Sequence, residues 1–316
     1  MKAQKVLIVG GQGVIGKEFA RQLQLLGHQT ESFNSSDDRG TFQSRLMGVD
    51  AVGITINAND RGEAALSYLL EAVEAGLPVV TSEKRSSAYH FEAIRLYVGL
   101  DLVGCTATVG GGSEMLELFR RPHAPFVHMT GVVNGTLNFL FSRVQEGLDP
   151  QRALEAAQRM HLCERGKGGL VETVNGERHD VMLKLCNLFN FSGVSEECLT
   201  PDDLNYPIYS EAEILRLLRH PDRYRFVVKI SQYEIQRQSL EIRGRKGRWH
   251  IWGGFVPARS VDFQLPSGAD NVLVCTDHHG DEVMAFGEGA GAEPTASAMI
   301  KDFLRLTKKA QLQACS

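Results

Sequence analysis

Asp180 and Lys184 stand four residues apart in the run HDVMLKLCNLF, a spacing that puts a carboxylate and an ammonium on one face of a helix. Together they could orient a substrate oxygen and carry a proton to or from it. Such pairs are also common on solvated helix surfaces, where each is worth roughly a few tenths of a kcal/mol. Spacing alone favours that surface reading. The apolar neighbours of Lys184 argue the other way, because a solvated lysine is not expected inside MLKLCNLF.

A second constellation is GGQGVIG at 10–16. Gly11 permits a tight turn, Gly13 lets the backbone approach a pyrophosphate, and Gly16 allows a helix to pack closely on a strand. Val14 and Ile15 fall in the first helical turn, whose positive end favours phosphate. The following strand ends at Asn34 and Ser35, where sites that prefer NAD carry a carboxylate for the ribose hydroxyls. No acid stands there and Arg39 is close behind, which favours NADP over NAD, with Asp37 and Asp38 opposing. A third feature is ATVGGG at 107–112. Propensity explains three consecutive glycines in no regular element, so Gly110 and Gly111 mark either a close approach to the backbone or a plain loop.

The elements around these residues follow from pattern. Lys5–Val9 reads as a strand, Lys17–Leu26 as a helix closed by Gly27, and His28–Phe33 as the next strand. Ala51–Ile56 and Leu77–Val80 read as further strands, with a helix over Arg61–Ala75 between them. Alternation of this kind implies a parallel, doubly wound sheet with ligands at the carboxyl ends of its strands. That places Thr81, Ser82, Glu83 and Lys84 on the ligand side. Downstream, Pro207–Leu218 has a helical pattern, while Tyr224–Ile235, Leu240–Arg243, Trp249–Phe255 and Val272–Thr276 read as strands. The expected class is α/β, a Rossmann-type doubly wound parallel sheet plus a mixed α+β domain. The expected boundaries are 1–130, 131–286 and a C-terminal helix over 287–316 that returns to the nucleotide domain.

Composition excludes several alternatives. A chain of 316 residues with 43% hydrophobic and 23% charged content can bury a large core. A formal net charge of -4 gives no reason to expect a nucleic-acid partner, and Arg243, Arg245, Lys246 and Arg248 read as a solvated hairpin. Six cysteines, at 105, 163, 186, 198, 275 and 315, contain no CxxC pair and read as reduced thiols rather than disulfides or metal ligands. No apolar stretch approaches the roughly 18 residues needed to span a bilayer. The expected location is the cytoplasm, with no membrane association.

Several segments together resemble the homoserine dehydrogenase family: TSEK at 81–84, ATVGGG at 107–112, GVVNGTLNFL at 131–140, the helix DVMLKL at 180–185, and GEGAGAEPTASAMIKDF at 287–303. The resemblance implies reversible hydride transfer between NADP or NAD and C4 of homoserine or aspartate 4-semialdehyde. Lys184 would be the acid/base group, Asp180 would hold the substrate hydroxyl, and Lys84 would lie between cofactor and substrate. The resemblance further assigns Gly110 and Gly111 to the substrate, Asn57 with Ala58 to the nicotinamide side, and Gly289 and Gly291 to the nicotinamide end of the cofactor. Glu172 is the counterpart of the glutamate that contacts the substrate amino group. It also implies a subunit interface built from strands of the last third, hence a homodimer. After residue 303 only a short amphipathic tail remains, so a short form without a regulatory ligand-binding (ACT) domain is expected.

Two departures bear on this carry-over. The loop before Asp180, GKGGLVETVNGERHD, is shortened, and Glu172 lies about three residues nearer Asp180 than the family pattern places it. The loop that holds a monovalent cation in the family has Thr106 in place of its leading glutamate, so although the carbonyls of Val109 and Gly111 remain, no metal is assigned. Two other readings stay open: an oxidoreductase of the same fold acting on a different small alcohol or aldehyde, and a catalytically silent nucleotide-binding sensor.

Overall fold

Val6 to Val9 are apolar without interruption, and they form β1 (Lys5–Val9), buried as a strand covered on both faces must be. It is joined by β2 (Gln29–Phe33), β3 (Ala51–Ile54), β4 (Val79–Thr81) and β5 (Val103–Gly104) in a parallel sheet of order β2-β1-β3-β4-β5. The intervening helices are α1 (Val14–Leu25), α2 (Phe42–Leu46), α3 (Glu63–Glu74) and α4 (Arg85–Gly99). The computed structural model describes residues 3–57, 61–120, 125–163, 168–235 and 241–314, the side chains of 309–314 excepted. The chain clusters into two units, Met1–Gly111 with Ala292–Ser316, and Gly112–Gly291.

In this sheet the order reverses between β1 and β3, so the crevice at their carboxyl ends is the switch point where open α/β sheets bind ligands. Thr55 joins the two ends: its hydroxyl donates to the carbonyls of Val9 (3.0 Å) and Gly10 (3.1 Å), which ends β3 two residues earlier than its apolar run suggests. Gly53 is needed within β3 because a Cβ there would lie 2.6 Å from the ring of Phe19 on α1. α1 begins at Val14 rather than Lys17, since Gly13 is its N-cap. α4 carries no clean amphipathic period, and His90 interrupts it with a non-helical backbone.

In the second unit come β6 (Phe126–Val132), α5 (Gly135–Gln145), α6 (Pro150–Arg159), α7 (Leu170–Ser192), β7 (Leu204–Asn205), α8 (Glu211–Leu218), β8 (Tyr224–Ser231), β9 (Ile242–Lys246), β10 (Trp249–Pro257), β11 (Asp270–Asp277) and β12 (Glu282–Glu288). The strands form an antiparallel sheet of order β12-β11-β6-β8-β10-β9-β7. Successive side chains alternate between its faces. One face meets the helices, with Phe255 stacked on Phe141 of α5 at 4.4 Å and edge-on to Phe226 at 4.8 Å. The other carries Val132, Val227, Trp252, Val272 and Val274. α8 starts at Glu211, not Pro207, because Ser210 and Glu213 form a reciprocal capping box. The strand expected over 240–243 is β9; Leu240 lies outside the described residues, as does Cys315.

The last helix, α9 (Ala292–Ala314), belongs to the first unit and packs Ala296, Met299 and Phe303 against Val6, Ile8 and Phe19. Its buried Asp302 accepts hydrogen bonds from Thr106 N (2.8 Å) and Thr106 Oγ1 (3.0 Å) and pairs with Arg305 at 2.9 Å. Gly104 is obligatory beside it, since a Cβ would sit 2.6 Å from Asp302 Cβ. Among the described residues no helix is long and apolar enough to cross a membrane.

His28 packs edge-on against Phe303 and accepts from Gln4 N through Nδ1, and burial lowers its pKa. The unfolded chain therefore binds a proton below about pH 6.5 that the folded chain resists, so stability falls as pH drops from there through the lowered value. Thermal melts between pH 7.5 and 5 should show His28→Asn losing less stability than the wild type; equal losses would assign the effect to other groups.

Candidate active site

The helix α7 is turned so that Glu177, Asp180 and Lys184 face the entry of α5. Lys184 is 6% exposed, and its Nζ donates to the carbonyl of Val133 (2.8 Å) and pairs with Asp180 Oδ2 (2.9 Å). Two of its three N–H groups are thereby used, and Lys184 has no other partner among the described residues. The same Asp180 oxygen accepts from Asn134 Nδ2 at 3.2 Å, and that amide also donates to Glu177 Oε2 at 2.7 Å. Asn134 meanwhile caps α5 through Oδ1, which accepts from Leu137 N at 2.8 Å. Gly135 is required next to it, since a Cβ would come within 2.2 Å of the Ala269 carbonyl, and the Thr136 hydroxyl donates to Leu162 O at 2.8 Å.

The rotation of α7 is fixed from its other side by Arg178, which is fully buried. Its guanidinium lies 3.9 Å from the Tyr209 ring and donates to Pro207 O (2.8 Å) and Asn175 Oδ1 (3.2 Å). Cys163 is near Glu177, and burial, followed by that carboxylate, pushes its thiol up to about 11. It is therefore not a nucleophile at neutral pH.

In the first unit the glycine turn fits a dinucleotide pyrophosphate on its own packing. The left-handed residue of the turn is Gly10 (φ 85), not Gly11; Gly11 is required instead because a Cβ would lie 2.3 Å from Ser32 Oγ. A Cβ on Gly16 would lie 2.3 Å from Gly10 O, so the third glycine does set the helix-to-turn approach. No side chain caps α1, and Val14 is 76% exposed, so the first turn of the helix presents its backbone outward beside Ile15. Asn34 steadies this turn by accepting from Gln12 N at 3.1 Å, while Ser35 follows it at the end of β2.

The sequence of 121–304 matches the family model described as homoserine dehydrogenase, which is more than half of the chain. The chain belongs to the homoserine dehydrogenase family. It is 26% identical over 276 residues to the homoserine dehydrogenase of Lactococcus lactis, covering 84% of this chain and 59% of that protein. To the NAD(+)-dependent homoserine dehydrogenase of Pseudomonas canavaninivorans it is 25% identical over 256 residues, covering 79% and 68%. The chain thus spans little more than half the length of the Lactococcus relative. In fold it is similar to a hyperthermophilic archaeal homoserine dehydrogenase in complex with NADPH, with a TM-score of 0.67 at 18% identity over 97% of this chain and 98% of that one.

Among the residues singled out from the sequence, Asp180 and Lys184 come together in the second unit. Lys84 is the N-cap of α4, at the carboxyl end of β4, and Asn57 is exposed beyond β3; Ala58 lies outside the described residues. Glu83 beside Lys84 is structural: buried, it accepts from Arg85 N (2.8 Å) and Ser86 N (2.7 Å) at the positive end of α4. Gly110 and Gly111 have φ of 77 and 51, so their left-handed backbone accounts for glycine there. Gly289 is fixed by Asn271, whose amide would lie 2.3 Å from an added Cβ, and Gly291 has φ of 122. Arg39 pairs with Glu71 and lies 4.2 Å over the Tyr68 ring, which removes the free cation behind Ser35.

Glu172 does not join the cluster. It is the third residue of α7, and its carboxylate accepts from Gly169 N at 2.9 Å. Eight residues of helix put it about 12 Å along the axis from Asp180. Glu177 takes the place beside Asp180, and its i, i+3 relation to Asp180 was the available signal. Glu172→Ala should lower stability by about 0.5–1 kcal/mol through loss of the cap, read as a small drop in melting temperature.

Proposed function

We propose that the protein is an NAD(P)-dependent oxidoreductase interconverting L-homoserine and L-aspartate 4-semialdehyde. The observation that carries this reading is the buried Lys184 ammonium with two N–H groups committed and the third unclaimed among the described residues. A carbonyl oxygen that accepts hydride develops negative charge, and a positioned ammonium both stabilises and protonates it. In the reducing direction Nζ gives one proton to that oxygen; in the oxidising direction neutral Nζ takes the hydroxyl proton. Asp180 remains ionised, holds the ammonium in place and orients the substrate hydroxyl. Glu177, beside Asp180, supplies the carboxylate for the substrate amino group, the role the resemblance gives to Glu172.

Gly11, Gly13 and the first turn of α1 would hold the nucleotide pyrophosphate, with Asn34 and Ser35 at the adenosine ribose. The nicotinamide, when bound, supplies the hydride acceptor. No acid replaces Asn34 and Arg39 is held by Glu71, so both NADP and NAD are expected to serve. The named relatives support this reading, one as NAD(+)-dependent and one in complex with NADPH.

Nicotinamide reduction by homoserine at alkaline pH tests the assignment directly. Lys184→Ala should lower kcat by roughly a thousandfold or more while leaving nucleotide affinity unchanged; retained turnover would remove Lys184 from the chemistry. Glu177→Gln should raise KM for homoserine at least tenfold, whereas Glu172→Gln should not.

We further propose a homodimer, supported by Met284 and Phe286, which are 57% and 54% exposed on one face of the edge strand β12. Phe286→Glu should shift the molar mass measured by light scattering from that of a dimer to that of a monomer; an unchanged mass would move the interface elsewhere.

A further inference from the structure

The residue that caps α5 does more than a cap requires. Asn134 Oδ1 accepts from Leu137 N at 2.8 Å, and Ser or Asp would serve that purpose equally well. The same bond fixes which way the amide faces, because a turned amide would set N–H against N–H. Nδ2 is thereby aimed at α7. It donates to Glu177 Oε2 at 2.7 Å and to Asp180 Oδ2 at 3.2 Å, with the Glu177 carbonyl at 3.5 Å. Both N–H groups meet carboxylates, and of the three good caps only Asn offers two donors beside its acceptor.

Asn134 is 4% exposed, and hydrogen bonds from a buried amide to ionised carboxylates are stronger than neutral ones. Its backbone is held where it stands. A Cβ on Gly135 would come within 2.2 Å of the Ala269 carbonyl, and Thr136 donates to Leu162 O. The amide is therefore a fixed point to which two side chains of α7 are tied. One of them carries the effect further, since Asp180 Oδ2 also takes the Lys184 ammonium at 2.9 Å.

We propose that Asn134 is a positioning residue that sets the separation of Glu177 and Asp180, acting on substrate affinity through the first and on turnover through the second. This rests on the proposed reaction, in which Glu177 meets the substrate ammonium and Asp180 its hydroxyl. Capping explains a side-chain oxygen at this position; the pair of carboxylates explains the nitrogen.

Steady-state oxidation of homoserine by the wild type, Asn134→Ser, Glu177→Ala and the double variant separates the two roles. Asn134→Ser keeps the cap, so its melting temperature should stay close to that of the wild type. Its KM for homoserine should rise about tenfold and its kcat fall about tenfold. In the Glu177→Ala background the same substitution should leave KM unchanged and still lower kcat, because only the Asp180 arm remains. A lesion that merely loosened α7 would instead multiply with Glu177→Ala. Asn134→Asp, a second variant that also caps, turns a third carboxylate towards the two and should lose at least as much kcat/KM as Asn134→Ser. Wild-type kinetics in Asn134→Ser, or multiplying effects on KM, overturn the proposal. So does a fall in melting temperature in both Asn134 variants that parallels their loss of turnover, which would leave Asn134 a cap alone. No oxidation of homoserine by the wild type overturns the reaction itself, and the positioning role with it.

Discussion

A buried ammonium must be compensated where it sits, and in the second unit that requirement organises much of the surrounding structure. Lys184 leans on a carboxylate of its own helix and on the Val133 carbonyl at the end of β6. Because the carbonyl belongs to a different element, the register of α7 against the β6–α5 turn has little freedom. Asn134 fixes the same relation a second time, capping α5 with its oxygen while its nitrogen spans Glu177 and Asp180. Removing Asp180 would leave an uncompensated charge, which is far more damaging than deleting a surface pair. The i, i+4 geometry is common; burial and the third attachment make this instance different.

Arg178 supplies the opposing constraint. Its guanidinium is buried against Tyr209 and Tyr206, and it bonds Pro207 O, so α7 is clamped by a charge on each of two sides. Helices held only by apolar packing tolerate small rotations. Here a rotation would unpair two desolvated cations together, and α7 is consequently held rigidly where Asp180 and Lys184 stand.

The parallel sheet was legible because β1, β3 and β4 are short and mostly apolar, whereas β2, QTESF, is marked by its place after the helix closed by Gly27. The pair Asp180 and Lys184 was legible for a related reason: an ionisable residue inside an apolar run has to be explained. Glu172 satisfies the family pattern as text, while in the structure the N-terminus of α7, with its unsatisfied N–H groups, takes that carboxylate. Glu177 was hidden by its ordinary position among polar residues, and only its three-residue relation to Asp180 marked it. Arg39 has a partner no local pattern announces, since Glu71 lies 32 residues away. β12 escaped notice because its apolar run, Val283 to Phe286, is only four residues long and ends at Gly287, too short for its period to be read.

Strand β6 serves both faces of its sheet, carrying Thr130 on the open face and ending one residue before the Val133 carbonyl that holds Lys184. Proximity along a strand is not coupling, however. β6 is an interior strand, bonded to β11 on one side and β8 on the other, and Gly131 is so closely approached that a Cβ would lie 2.2 Å from Val272 O. Such a strand has no second arrangement to move into without breaking two ladders at once. The position of Lys184 is therefore governed by this strand end and by the helices packed on the same face.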